Sequence, residues 1–456
     1  MEQSAEGFAE QAWGKVELGD RRLTRRAVKL GACMVRNPEA SLPRQVKDAS
    51  ALEGAYRLLN NDWVTLEKLL APSYAQTRAA AQKREVVLWV NDLTELDYTF
   101  HKRVEGLGPI GDGRGRGLLM HTTIAVGPGE REILGLGQVK VFLREPTPVP
   151  KPKWTRSMEG RVWEMAAEEI GSAPEGVTWV EVSDAGSNFF PYWATCRAHN
   201  KHFLIRVAQN RWVREQEEDV AHKLIDYARW LPAVAGSEHT ISIPARKNQA
   251  ARLAEVQMAW AGVQVASSSQ ASPAERALPA FSAWVLRVWE PNPPKGVEGL
   301  EWILLSSLPV TNLAEAYERT QWYSCRWICE DFHQCLKTGC QIERSQLDER
   351  TDLEALLGFA APIALRLLQM RQAAREHSDV PASTVVDPLM VEVLAQRLQV
   401  SEKTMTLHEF WRLVARLGGF LGRKGDLDPG WRTVWWGWRY LSDLTDGARL
   451  ILNNRT

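Results

Sequence analysis

The sequence predicts an α/β protein whose strand-rich middle is set between helical ends. Three observations carry this reading. Apolar runs of strand length recur between residues 86 and 207, the first 70 or so residues are helical in pattern, and the chain beyond 345 is mainly helical again. With 456 residues the chain is long enough for two or three domains and a sizeable core. The boundaries read as 1–70 for an N-terminal helical domain, 71–370 for the strand-bearing domain and 371–456 for a C-terminal helical domain.

Taken in order, Leu18-Gly19-Asp20 caps a helix that continues through Arg21, Arg22, Arg25, Arg26 and Lys29, and residues 49–59 form a second short helix. Residues 86–90 make a continuous apolar strand ending at Asn91-Asp92, with 97–100 as a hairpin partner. Residues 118–126 give a third strand, 177–182 a fourth ending at Ser183-Asp184, and 202–207 a fifth. A helix over 161–170 lies between the third and fourth. Residues 208 to about 300 look inserted, with β-type runs at 240–243 and 281–289, a flexible Ser/Ala/Pro segment at 267–279 and a Pro/Gly turn at 291–299. Residues 301–305 return as strand and lead into a long helix over 313–337, and a polar linker over 376–388 precedes the last helices.

Hydrophobic residues make up 45% of the chain and charged ones 25%, as in ordinary globular proteins. Formal net charge is zero, so any binding of nucleic acid rests on local basic patches. One such patch lies between Trp13 and Arg36, where seven Lys/Arg face two Asp/Glu. It reads either as a grip on a phosphate backbone or as a solvated helix face. Twenty Trp residues point to many large flat side chains in cores, at interfaces or against bases. No apolar stretch is long enough to span a membrane; the nearest, 355–368, is broken by Pro362. The N-terminus lacks a signal-peptide layout, so a cytoplasmic protein is expected. Cys325, Cys329, His333, Cys335 and Cys340 cluster along the long helix. On one helix the outer two stand about 22 Å apart, too far for a single zinc ion with bonds of about 2.3 Å. They read as small reduced residues.

The chemistry gathers around Tyr323, Arg326, Glu330 and Lys337. At about 100° per residue these four fall within roughly 60° of one another on a helix. A phenol, a guanidinium, a carboxylate and an ammonium on one stripe suit metal and phosphate better than an apolar core. Asp92 and Asp184 at the ends of neighbouring strands add two further carboxylates. Three carboxylates so arranged suit two magnesium ions, which take hard oxygen ligands and leave places for water and phosphate. His121, alone on the third strand, reads as a core histidine with its hydrogen bonds satisfied.

The spacing Tyr323-x-x-Arg326-x-x-x-Glu330-x-x-x-x-x-x-Lys337 resembles the Y-R-E-K signature of bacterial cut-and-paste DDE transposases of the insertion-sequence-four type. Leu18-Gly19-Asp20 with its Arg-rich helix, Glu53-Gly54-Ala55-Tyr56-Arg57, and Ala415-Arg416-Leu417-Gly418-Gly419-Phe420 with the Trp431 to Trp438 region extend the resemblance over nearly the whole chain. It implies an RNase-H-like catalytic core with a β-rich insertion, flanked by an N-terminal helical DNA-binding domain and a C-terminal helical dimerisation domain. Asp92, Asp184 and Glu330 would be catalytic and would ligate two Mg2+, with Mn2+ able to substitute. Tyr323, Arg326, Lys337 and Arg206 would hold DNA phosphates, Trp302 would stack on a flipped base, and Arg21, Arg22, Arg25, Arg26 and Lys29 would bind the element end. One departure stands out: the family often follows its second Asp with Arg-Glu-Ala-Asp, where this chain has Ala185-Gly186-Ser187-Asn188.

The expected function is therefore DNA transposition: a 3′-hydroxyl nick, a hairpin and strand transfer. The partners are double-stranded DNA (element ends and target) and a second copy of the chain in the DNA complex. There is no membrane partner, and the protein would work in a bacterial cytoplasm, on the nucleoid when bound to DNA. The alternative is a weak or catalytically silent DNA-binding inhibitor of transposition.

Overall fold

The computed structural model describes residues 5–144, 157–216, 220–243, 252–268, 271–376, 380–423, 429 and 431–453. They form two compact units, neither of them one continuous stretch of chain. The first comprises Met1–Thr77, Glu95–Leu118 and Glu330–Thr456, and the second Arg78–Thr94 and Leu119–Cys329. The helical ends of the chain thus share one unit.

The chain starts with α1 (Ala5–Trp13), α2 (Arg21–Arg36), α3 (Leu42–Gln45), α4 (Ala49–Leu59) and α5 (Leu66–Ala81). The expected cap is present: the Asp20 carboxylate accepts the Arg22 N–H at 2.8 Å. Asp48 does the same for α4 through Ala51, at 2.7 Å. On α2 the residues Ala27, Leu30, Gly31, Ala32 and Met34 are buried, while Arg21, Arg22, Arg25, Arg26 and Lys29 are exposed. Gly31 is needed there, since a Cβ would stand 2.2 Å from the buried Trp13 ring.

Next come β1 (Val86–Asp97), β2 (Gly108–Ile110), β3 (Gly115–Gly127), β4 (Glu132–Phe142), α6 (Met158–Ile170), β5 (Thr178–Ser183), α7 (Phe190–Ala198) and β6 (His202–Arg206). Two expectations fail here. The first strand does not stop at Asp92 but runs five residues beyond it, and residues 97–100 form no hairpin strand. Asp97 instead turns the chain by accepting the Thr99 N–H at 2.8 Å. The strand β4, unforeseen in the sequence, pairs antiparallel with β3. Its glycines at 135 and 137 break the apolar run that would have marked it. β1 pairs in parallel with β5, and β5 in parallel with β6, giving the order β4-β3-β1-β5-β6.

The inserted stretch holds β7 (Trp212–Glu215), β8 (Ala221–Lys223), α8 (Leu224–Trp230), β9 (His239–Ile243), β10 (Arg252–Val265), α9 (Pro273–Arg276) and β11 (Phe281–Trp289), and β12 (Glu301–Ser306) follows. It continues the same sheet: β12 lies antiparallel to β6, β11 to β12 and β10 to β11. The residues 269 and 270 of the expected flexible segment lie outside the described residues. Phe281, Ala283 and Val285 of β11 share one core cluster with Trp163 of α6, Trp193 of α7 and Phe203 of β6.

The chain ends with α10 (Leu313–Ser324), α11 (Trp327–Gln334), α12 (Arg350–Glu376), α13 (Pro388–Leu398), α14 (Leu407–Leu417) and α15 (Trp431–Asn453). The expected single helix over 313–337 is broken at Cys325, resumes as α11 and passes into a π turn at Cys335–Gly339. Pro362, expected as a breaker, lies inside α12. Part of the expected linker, 377–379, lies outside the described residues. Among the described residues no helix is long and apolar enough to cross a membrane. α14 and α15 meet backbone to backbone: a Cβ on Gly437 would stand 1.7 Å from the Val414 carbonyl oxygen, and one on Gly418 would stand 1.8 Å from that of Thr433.

One polar network is sealed inside the second unit. Lys201 and Glu181 form an ion pair at 2.6 Å with side chains 0% and 1% exposed. The Lys201 ammonium also donates to the Ala167 carbonyl at 2.7 Å. Glu181 accepts from the Asn91 amide at 2.7 Å, and Asn91 accepts from the Thr123 hydroxyl at 2.6 Å. β1, β3, β5, α6 and the turn before β6 are thereby joined.

Two outcomes are expected in urea unfolding. Glu181→Gln or Lys201→Met should each cost about 3–5 kcal/mol, because each strands a buried charge, and the double variant should cost less than the sum. Losses within about 0.5 kcal/mol for both singles would mean that the pair is solvated. Gly437→Ala should cost roughly 3 kcal/mol or more, whereas Gly54→Ala, where a Cβ meets nothing within 4 Å in α4, should be neutral or stabilising.

Candidate active site

Strand register sets the first two carboxylates. The last paired residues of β1 and β5 are Val90 and Val182. Two residues further on each chain come Asp92 and Asp184, on strands whose spacing is about 4.8 Å. Asp92 is 9% exposed. Asp184 leaves β5 and caps a short 3-10 turn over Ala185–Ser187, accepting the Gly186 N–H at 2.8 Å.

The segment after Asp184 is a bonded neutral turn. Ser187 donates to the Asp184 carbonyl at 2.8 Å and shares a 2.6 Å bond with the Ser183 hydroxyl. Asn188 donates to the Arg206 carbonyl at 3.4 Å and receives Arg211 on its own carbonyl at 2.9 Å and its side-chain oxygen at 2.5 Å. Arg211 lies 4.2 Å above the Trp193 ring, and burial pulls its pKa down to about 10. Glycine suits position 186, because a Cβ would stand 3.0 Å from the Asp184 carboxylate and 3.1 Å from Trp163.

The break between α10 and α11 brings two cation- and phosphate-type groups to this place. Cys325, Arg326, Ile328 and Cys329 each donate three residues back, to Trp322, Tyr323, Cys325 and Arg326. Such bonding gives about 120° per residue, so positions three apart eclipse. Tyr323 and Arg326 therefore stack one above the other. Arg326 reaches Asp92 at 3.6 Å, each side chain about one-eighth exposed. Burial pushes the Tyr323 hydroxyl up to about 12; the Arg326 and Arg206 guanidiniums oppose this, and the Asp184 carboxylate adds to it. Arg206, exposed at the end of β6, donates to the Glu301 carbonyl at 3.2 Å.

Trp302 on β12 is 4% exposed, with Tyr323 and Trp327 edge-on at centroid distances of 5.0 and 5.7 Å. Its place here is in the packing beneath Tyr323, and stacking on a base requires those rings to part. The four-residue stripe does not exist as one helix face. Glu330 stands on α11, one residue past the boundary of the second unit. Lys337 belongs to the first unit, where it donates to the Glu95 carbonyl and pairs with Glu343 at 3.5 Å. Among the described residues no three His, Cys, Asp or Glu side chains come close enough to hold a metal ion. In this arrangement Arg326 supplies a counter-charge to Asp92. The two aspartates fit the hard-oxygen chemistry of magnesium.

The cysteines of this region bond to backbone: Cys325 to Gln321, Cys329 to Val90, Cys335 to Ala364 and Cys340 to Ala360. His121 is fully buried with its ring 4.6 Å from that of Trp163, and burial drives its pKa down to about 3. Neither ring nitrogen has a hydrogen-bond partner among the described residues. Sequence reasoning missed Asn91, Glu181, Lys201 and Arg211, which hold the site from behind. A signal was present: Glu181 interrupts an otherwise apolar strand.

Comparison with known proteins bears on the two ends of the chain. Residues 5–64 match the transposase DNA-binding family, and residues 362–454 match the transposase Tn5 dimerisation domain. A cryo-EM structure of a piggyBac transposase synaptic complex with hairpin DNA aligns with 97% of this chain and 79% of its own, at 10% identity. The TM-score is 0.36, below the level of a shared fold.

Proposed function

We infer that this chain is a DNA transposase of the DDE type. One observation carries the reading: a transposase DNA-binding match and a transposase dimerisation match bracket the two ends of one chain. The region between them supports it. The order β4-β3-β1-β5-β6, with β1, β5 and β6 parallel and β3 antiparallel to β4, suits an RNase-H-like core. Two aspartates then stand at neighbouring strand positions beside a buried Tyr and an Arg. A Y-R-E-K transposase of the insertion-sequence-four type is the finer form of the proposal.

In this reading the exposed arginines of α2 hold double-stranded DNA at an element end, and the C-terminal helices pair two copies so that both ends are held together. Asp92 and Asp184, with Glu330 as third ligand, would hold two Mg2+, which supply charge neutralisation and Lewis acidity for displacement at phosphorus. Arg326 and Arg206 offer forked donors to phosphate oxygens, and Tyr323 donates as a neutral phenol. Lys337 adds a point charge. The successive reactions are a nick that frees a 3′-hydroxyl, attack of that hydroxyl on the opposite strand, reopening of the hairpin and joining to target DNA. All are substitutions at phosphorus, so one centre serves them in sequence. The setting would be a bacterial cytoplasm, at the nucleoid.

DNA carrying the inverted repeats that flank the coding region provides the test. With Mg2+ or Mn2+ the wild type should give nicked, hairpinned and strand-transferred products, and chelator should remove them. Asp92→Ala should abolish every product. Glu330→Gln should abolish cutting while gel-retarded complexes remain; persistent cutting would remove Glu330 from the ligand set. Retarded complexes without cleaved product under any metal would replace the enzyme by a DNA-binding inhibitor and direct attention to the neutral turn after Asp184.

A further inference from the structure

The first unit exposes a large ring beside its most basic helix. Trp63 is 59% exposed, although indole is among the side chains most favoured inside. Its position is fixed. The turn over residues 61–64 closes through the Val64 N–H on the Asn61 carbonyl at 2.7 Å, and the Trp63 N–H donates to the Asn61 side chain at 3.0 Å. The ring lies against the backbone of Gly19: a Cβ there would stand 3.3 Å from Cε3, and the φ of +79° excludes most side chains in any case. Gly19 immediately precedes Asp20, the cap of α2. The indole is thus clamped at the N-terminal end of that helix. The Lys68 ammonium sits 4.7 Å from the ring centroid.

Charge decides which partner such a ring would meet. Arg21, Arg22, Arg25, Arg26 and Lys29 are all exposed on α2, and the first turn of the helix carries no acidic residue. Asp20 is engaged by Arg22 at 2.9 Å. Arg21, Arg26 and Lys29 make no ion pair among the described residues. Asp62, exposed in the Trp63 turn, subtracts one charge. A protein partner for an exposed Trp would be met by an apolar surround, whereas here the surround is cationic.

We propose that Trp63 is a specificity-determining contact to double-stranded DNA, laid on base edges while the cations of α2 take phosphates. The proposal rests on the DNA-binding reading of the N-terminal helices and extends it to a residue that no motif marked. Phosphate contacts bind any sequence and carry the salt dependence, whereas an apolar contact on base edges carries sequence preference without it.

Fluorescence anisotropy of the full chain with two labelled duplexes, the flanking inverted repeat and a scrambled repeat, separates these terms. Trp63→Ala should weaken end binding roughly tenfold, leave scrambled binding unchanged, and keep the slope of log affinity against log salt. Trp63→Phe should recover most of the loss. Arg26→Ala should weaken both duplexes and reduce the salt slope by about one. Equal melting temperatures for the variants would exclude unfolding as the cause. If Trp63→Ala binds both duplexes as wild type does while Arg26→Ala loses affinity, the proposal fails and the DNA-binding reading stands. Equal loss on both duplexes would also overturn it, since the ring would then carry no preference. A wild type that binds neither duplex would overturn the reading itself.

Discussion

The ion pair between Glu181 and Lys201 is the constraint on which the second unit depends. Two charges removed from water cost several kcal/mol each unless every polar atom finds a partner. Here the partners are found. The ammonium has a carboxylate and a carbonyl, the carboxylate has an amide on its other oxygen, and that amide is closed by a threonine. Such a network tolerates only one alignment of β1, β3 and β5, because a slip of one residue would turn Asn91 to the opposite face. Asn91 directly precedes Asp92. The position of the first candidate ligand is therefore set by buried electrostatics behind it, and the Val90–Val182 register then carries the second into line.

The inserted strands depend on the same frame. Because β12 pairs with β6, the insertion continues the sheet and does not fold apart from it, and its apolar face joins the core beneath α6 and α7. Glu301, at the start of β12, draws Arg229 from α8 at 2.6 Å and Arg287 from β11 at 3.0 Å, and these bonds hold its carboxyl below the usual range. Arg211 ties the first loop of the insertion to the turn after Asp184. The turn Ala-Gly-Ser-Asn, built from hydroxyl and amide bonds, thus receives a cation brought from the insertion.

Much of this was legible in the sequence, for physical reasons. Strands buried on both faces announce themselves as apolar runs, which located β1, β3, β5, β6 and β12, and the Asp20 cap marked the start of α2. What escaped were features set by partners distant in sequence. β4 carries glycines where a neighbouring ring needs room, and a Cβ on Gly137 would stand 2.7 Å from Trp89. The 3-10 tightening at Cys325 broke the assumption of 100° per residue, and with it the four-residue stripe. Tyr323 and Arg326 nevertheless came together, since a separation of three eclipses in the tighter helix. Lys337, eleven residues further on, lies in the π turn that follows α11. The role of Asn91 was illegible because nothing near it in sequence names Glu181 as its acceptor.

The contact between α14 and α15 bears on how this sequence can drift. At Gly418 and Gly437 the atoms that leave no room for a Cβ are backbone atoms: the carbonyl oxygens of Thr433 and Val414 and each other's amide nitrogens. A side-chain clash can be relieved by shrinking the opposing residue, which is how paired positions come to co-vary. A carbonyl oxygen has no smaller version. Neither glycine can therefore be rescued by a change on the facing helix, and related sequences that keep this packing should show two independently fixed positions and no exchanging pair.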